Sequence, residues 1–245
     1  MTTPMPLAGN RRLIDHGLRR SGYVATIIGL AALAALTLWP PRCAFAGGTD
    51  SPAMADEIAE MLAIKPGSTV VDIGAGHGEM AMRMAAKVGP TGRVFATEID
   101  PARIEEIQKR SHDAGLANVT VIKATPTDSG LPVNCCDAAY MIGVYHHITE
   151  PAATDASIFR ALKPGARLLI NDFPPTVLLS LFKVKDVPAD RGGHGVPDRI
   201  VVKEITAAGF REVKEIRPWH PGVFIRNKYC LVFSKPQDSA TTVKQ

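Results

Sequence analysis

Cysteine is scarce: Cys43, Cys135, Cys136 and Cys230 are the only four in 245 residues, and none belongs to a CxxC pair. That spacing excludes a zinc-ribbon or zinc-finger site and a disulfide-stapled scaffold, and no metal ligand set is expected. Aromatic residues are also few, at 6%. No sustained run of one charge occurs either. The net charge is +4, and residues 1–46 hold all of it, with Arg11, Arg12, Arg19, Arg20 and Arg42 against Asp15. The rest of the chain is balanced, so no global basic excess draws nucleic acid and no such partner is expected. With 46% hydrophobic and 21% charged residues, the composition is that of a folded globular domain.

One stretch lacks charge altogether. Tyr23 to Trp39 is rich in Ala, Leu and Ile, follows Arg19-Arg20, and precedes Pro40-Pro41 and the small-residue triplet Ala44-Phe45-Ala46. Basic, apolar and small-residue segments in that order predict a secretory signal peptide cut near Ala46. The same length also spans a hydrocarbon core of about 30 Å, so an uncleaved membrane anchor through residues 23–39 is the alternative. The expected location is therefore exported, periplasmic or extracellular, or else membrane-anchored. Residues 1–46 are read as leader, 47–236 as the folded domain and 237–245 as a polar tail.

Past the leader, strand and helix patterns alternate. Ser51-Pro52 starts a helix with Met54, Ile58, Met61 and Leu62 on one face, stopped at Lys65-Pro66-Gly67. Strands are expected at 69–73, 93–97, 119–122, 137–142 and 167–171. Helices are expected at 79–88, 100–114 and from 149 or 150 to 162, with Lys163-Pro164-Gly165 as a turn. After an excursion from Asp172 to Gly195 come a helix at 197–208 and two consecutive strands at 212–217 and 224–233. The pattern predicts a doubly wound, mostly parallel seven-stranded sheet, Rossmann-like, closed at one edge by an antiparallel C-terminal strand pair.

Ligands of such sheets lie beyond the carboxyl ends of the strands, against a glycine-rich turn and a helix N-terminus. Val70-Val71-Asp72-Ile73-Gly74-Ala75-Gly76-His77-Gly78 occupies that place. Its G-x-G-x-G spacing departs from the dinucleotide pattern, and Asp72 is an awkward neighbour for a pyrophosphate. An acid there suits a ligand carrying an ammonium and a sulfonium. About 20 residues further on, the second strand ends in Glu98, placed to accept both hydrogen bonds of a ribose diol.

VVDIGAGHGEM, VFATEID, CDAAYMIGVYHHI and ALKPGARLLINDF, in that order and followed by a terminal strand pair, resemble the class I S-adenosylmethionine-dependent methyltransferases. The resemblance implies S-adenosylmethionine as cofactor. Gly74, Ala75, Gly76 and Gly78 then wrap its methionine end with Asp72 in support. Glu98 meets the ribose, Ile99 lies against the adenine, and Ile142 with Gly143 and Val144 walls the transferable methyl. Many family members hold the adenine amino group with an acid after the third strand. Here Lys123-Ala124-Thr125 stands at that position, and Asp128 serves only if the loop is longer than usual. The activity implied is methyl transfer to a small-molecule acceptor.

If the acceptor must lose a proton, His146 and His147 after the fourth strand and His194 in the Gly-flanked 191–195 segment are the candidate bases. Packing at a helix start is the other explanation of His146 and His147. Val177 to Val184 is apolar enough to cover a pocket or touch a membrane. Cys135-Cys136 reads as inert burial. Two further readings compete: a module that binds the cofactor without turnover, and an NAD(P)-dependent oxidoreductase, which the glycine spacing and Asp72 disfavour.

Overall fold

Residues 51–176, 188–191, 194–222 and 225–237 are described by the structure, a computed structural model. The leader, the apolar stretch 177–184 and the tail beyond Gln237 lie outside these described residues. Helix α1 (Pro52–Met61) begins where expected: the Ser51 hydroxyl accepts the Met54 amide at 3.1 Å, and Pro52 presets the first turn. Strand β1 (Thr69–Ile73) follows, then α2 (Glu79–Val88), whose Met80, Met84 and Val88 are buried along one face. After β2 (Arg93–Glu98), the Asp100 carboxylate caps α3 (Pro101–Asp113) by accepting the Ala102 amide at 2.9 Å. Then come β3 (Val119–Lys123), β4 (Cys136–Ile142), a 3-10 turn at Tyr145–His147, α4 (Pro151–Ala161) and β5 (Leu162–Asp172). A second 3-10 turn at Ala189–Arg191, α5 (Asp198–Ala207), β6 (Arg211–Ile216) and β7 (Tyr229–Ser234) complete the series.

The seven strands lie in the order β3-β2-β1-β4-β5-β7-β6, the first five parallel and β7 antiparallel to both its neighbours. The expected architecture is therefore present, with β7 slotted between β5 and the edge strand β6. Both faces of the central strands are buried, as crossover helices require. One side gathers Val71, Ile73, Met141, Leu168 and Ile170 with Ile158, Ile200 and Val201. The other gathers Val70, Val94, Tyr140 and Leu169 with Met54, Ile58, Met84 and Ile107.

Two boundaries differ from expectation. Lys163-Pro164-Gly165 is part of β5 rather than a turn, because Gly165 donates to the Lys235 carbonyl at 2.9 Å and Lys235 donates to that of Ala166 at 2.8 Å. The last strand begins at Tyr229, since the preceding segment folds back: Trp219 is buried and its indole donates to Glu57 at 2.8 Å. Cys136 and Cys230 are buried in the sheet, and burial pushes their thiols up, that of Cys230 to about 12, so both are inert. Among the described residues no helix is long and apolar enough to cross a membrane.

Candidate functional site

The turn after β1 is tied to the end of β2. Gly74 and Ala75 both donate to the Thr97 carbonyl, at 3.0 and 2.9 Å, and Gly76 donates to Glu98 Oε2 at 2.9 Å. The other oxygen of Glu98 accepts the amides of Ile99 at 2.7 Å and Asp100 at 3.1 Å. The buried carboxylate thus sets the shape of the turn; Oε1 is fully engaged by its two amides, and Oε2 alone keeps one lone pair for a hydroxyl, so the carboxylate accepts one ribose hydrogen bond rather than the two expected from sequence. Asp72 is buried one residue before the end of β1, in register with Ala96 and Tyr140.

The three glycines do different things. A Cβ on Gly74 would stand 2.7 Å from the Val144 side chain, and one on Gly78 would stand 3.1 Å from Ile107. These two allow close packing of the turn against the loop after β4 and against α3. Gly76, at φ +57°, is the one whose missing side chain leaves open space.

A cavity of about 500 Å³ opens between these loops, within the size range of small-molecule sites. Of the residues singled out from sequence, it brings together Gly74, Glu98, Ile99 and His147, with Val144 beside them. Ile99 is 56% exposed at its rim. Asp72, Ala75, Gly76, Gly78 and Ile142 are not on its lining; they form the turn and the strand ends behind it. Asp128 is turned elsewhere, accepting the Gly130 amide at 2.8 Å and pairing with Arg160 at 3.1 Å. Its neighbour Ser129 lines the cavity instead, with a buried hydroxyl that has no hydrogen-bond partner among the described residues. Thr125, Pro126, Ile148 and Thr154 complete that wall. No pattern in the polar loop distinguishes Ser129 from Asp128. A larger hollow of about 630 Å³ lies at the opposite ends of the strands, around Thr69, Arg93 and Asn118, away from the glycine turn. In a parallel sheet the carboxyl ends carry the ligand, so the smaller cavity is the candidate site.

Beside the cavity the three predicted histidines meet. Nδ1 of His146 lies 2.8 Å from Asp172, whose other oxygen accepts the His146 amide at 3.0 Å. Nε2 of His146 lies 3.0 Å from Nε2 of His194. The His147 ring meets solvent on one side, yet its proton affinity is lowered to about 4, by desolvation first and then by His146 and His194. Desolvation likewise lowers that of His194. The sequence gives no sign of the 3-10 turn that aims the pair; it starts the chain toward α4.

Behind the histidines lies a buried polar network. The Tyr145 hydroxyl reaches Asp155 at 2.7 Å and Glu204 at 2.9 Å, and Glu204 pairs with the fully buried Arg191 at 2.9 Å. The Arg191 guanidinium also lies over the Tyr145 ring at 5.1 Å. Two residues after His194, Val196 donates to the Phe173 carbonyl at 2.9 Å and accepts from the Tyr229 hydroxyl at 2.8 Å.

The sequence model of a methyltransferase domain matches residues 64–191. The ubiquinone/menaquinone biosynthesis C-methyltransferase UbiE of Ectopseudomonas mendocina is 32% identical over 128 residues, which is 52% of this chain and 50% of that one. The chain thus spans about half the length of the curated relatives it matches. Among solved structures, a SAM dependent methyltransferase from Aquifex aeolicus shares the fold with a TM-score of 0.61 at 21% identity, covering 76% of this chain and 94% of that one. A SAM-dependent methyltransferase from Methanosarcina mazei does so with 0.60 at 16%, covering 74% and 98%. The matched span runs from the end of α1 to Arg191 and contains the glycine turn, Glu98 and the cavity, and on that match the chain belongs to the methyltransferase domain family.

Proposed function

We propose that the protein transfers a methyl group from S-adenosylmethionine to a small-molecule acceptor. The observation that carries this reading is the cavity at the carboxyl ends of β1 and β2, shaped by the hydrogen bond from Gly76 to Glu98, in a chain of this family. The residues present fit the nucleoside. Gly76 leaves room for the amino-acid end, Asp72 places a carboxyl group near the turn, and Glu98 Oε2 has one lone pair left for a ribose hydroxyl. Ile99 offers an apolar face to the adenine, and the Ser129 hydroxyl supplies a polar group for its edge, the place that the family resemblance left to Asp128 only if the loop were longer than usual.

When bound, S-adenosylmethionine supplies a methyl carbon attached to a sulfonium leaving group. The chain's part is to hold that carbon in line with the acceptor, which is worth up to about 7–11 kcal/mol. Val144 and His147 form the wall where the acceptor enters, and His146 and His194 stand behind it. Backed by Asp172 on Nδ1, the His146 ring turns Nε2 to His194 at 3.0 Å, which leaves His147, on the cavity wall, as the imidazole placed to take the acceptor's proton. The UbiE relatives are named for C-methylation in ubiquinone/menaquinone biosynthesis, which supports a small quinone-related acceptor. We also propose residues 1–46 as an export leader or anchor; sequencing the N-terminus of the cellular protein distinguishes a chain cut near Ala46 from an intact one.

Calorimetry on the full chain tests the main reading. S-adenosylmethionine and S-adenosylhomocysteine are each expected to bind at one site per chain, NAD is expected to give no heat, and Glu98→Ala is expected to abolish the response. Absence of heat with both nucleosides overturns the reading. Methyl transfer to members of a phenol and quinol panel separates turnover from binding alone.

A further inference from the structure

Three imidazoles from two distant stretches of chain converge at the acceptor end of the cavity. One nitrogen each of His146, His147 and His194 falls within 4.8 Å of the others, and the ring centroids are 4.0 Å apart for His146 and His147 and 4.8 Å for His146 and His194. A single general base needs one imidazole and a carboxylate. Here His146 and Asp172 already make that pair, and the other two rings each bring a further nitrogen to within 4.8 Å of it.

We infer that His146, His147 and His194 bind a divalent first-row transition ion, zinc by the chemistry of the ligand set, and that this ion holds the methyl acceptor. The acceptor's part in this rests on the methyl-transfer reading above; the cation site does not. Imidazole ligands suit zinc, and three protein nitrogens leave the fourth tetrahedral position open to another molecule. Of the three ligands, His147 is itself on the cavity wall, which brings the ion beside the cavity. Zinc–nitrogen bonds of about 2.0–2.1 Å at tetrahedral angles separate ligand nitrogens by about 3.3 Å. The 3.0 Å between the Nε2 atoms of His146 and His194 needs only a small rotation to reach it.

The surroundings are those of a metal ligand set. The contact of His146 Nδ1 with Asp172 is the carboxylate–histidine arrangement that fixes ring orientation and strengthens a ligand. Asp172 is held in turn by the amides of His146 and Phe173 at 3.0 and 2.9 Å. His194 stands against the rings of His146 and Phe173, at centroid distances of 4.8 and 5.7 Å, and Val196 two residues on is held by the Phe173 carbonyl. No spacing rule finds this set, since His194 joins it only through the fold.

With the cation bound, the lone pairs that would otherwise take the acceptor's proton are engaged, and the cation's charge ionises the acceptor instead. An acceptor X–H that ligates through X, where X is oxygen, sulfur or nitrogen, gives its proton to water. A lone pair of X then forms the bond to the methyl carbon while the sulfur–carbon pair stays on sulfur as a neutral thioether. The substrate class so defined is small molecules with a hydroxyl, thiol or amine able to ligate zinc.

The test uses the full chain without a tag, stripped with a chelator and titrated with zinc chloride by calorimetry and with cobalt chloride by visible absorption. One ion per chain is expected, with the absorption bands of tetrahedral cobalt bound to nitrogen. His147 is exposed and His194 half-buried, so His147→Ala and His194→Ala keep the fold; each is expected to weaken zinc binding at least tenfold, and Asp172→Asn by roughly 10–100-fold. Cys135→Ser is expected to bind as the wild type does. No zinc binding at micromolar concentration, or binding unchanged in the His147→Ala/His194→Ala double variant, overturns the site. Titrating S-adenosylmethionine into the same stripped sample keeps the two readings apart. Nucleoside heat without zinc binding overturns the cation site alone, whereas zinc binding without nucleoside heat supports the site and removes its part in methyl transfer.

Discussion

Asp155→Asn isolates the buried network that carries the histidines. Asp155 is fully buried, accepts a hydrogen bond from Tyr145, and has a second oxygen with no partner among the described residues. Burial raises its pKa from 3.8 to about 7; the nearby Glu204 adds to the rise, and the Tyr145 hydrogen bond and Arg191 oppose it. Between roughly pH 4 and 7 the folded chain therefore keeps a proton that the unfolded chain has lost. Stability from this group is fully present below the unfolded pKa and is lost as pH rises through about 7. Each tenfold change in proton affinity on folding is worth about 1.4 kcal/mol, so the loss is at most roughly 4 kcal/mol. Asparagine keeps an acceptor for Tyr145 and cannot titrate. The unpartnered amide shifts the variant's whole curve without changing its slope. Urea denaturation from pH 4.5 to pH 8 is therefore expected to show wild-type stability falling relative to Asp155→Asn by about 2–4 kcal/mol. Parallel curves for the two proteins would refute the assignment of a protonated carboxyl at this position.

Gly74→Ala and Gly76→Ala both force a side chain to positive φ, at about 1–2 kcal/mol each, but only the first drives it into Val144. Gly74→Ala is expected to be the less stable by a further 1–3 kcal/mol or so in urea, and Gly76→Ala to keep its fold while losing S-adenosylmethionine heat in calorimetry. Ser129→Ala removes a hydroxyl that has no partner among the described residues, so denaturation should change by less than about 1 kcal/mol while nucleoside binding weakens roughly threefold to tenfold. Arg191→Met leaves Glu204 without its buried partner and is expected to cost about 3–5 kcal/mol; adding Glu204→Gln should recover much of that, as a double-mutant cycle in urea would measure.

The sheet was legible wherever one stretch of chain determines its own structure. Val70-Val71 and Leu168-Leu169-Ile170 read as strands because both faces are buried, and Met80, Met84 and Val88 read as a helix because spacing four is one face. Legibility ended where distant backbone decides. Pro164-Gly165 looks like a turn until Lys235 is laid beside it, and β7 begins late because Trp219 seeks Glu57. The same division runs through the site. Glycine turn and Glu98 announce themselves by position, but Glu98 also spends lone pairs on three backbone amides, which no spacing reveals. Ser129 carries no mark that separates it from Asp128. His146 and His147 stand out as neighbours, whereas the link of His146 to Asp172 and its contact with His194 exist only once β5 and the chain beyond it are in place.

The position of β7 bears on how the chain comes to be finished. Its strand, Tyr229–Ser234, hydrogen-bonds β5 along one side and β6 along the other, although β5 was synthesised some sixty residues earlier. During translation β5 leaves the ribosome with a bare edge, Leu168 and Ile170 included, and among the described residues none before 229 supplies the missing partner. Closure of the domain is thereby postponed to nearly the last step of synthesis, and until then the edge of β5 stays open to pairing with another chain.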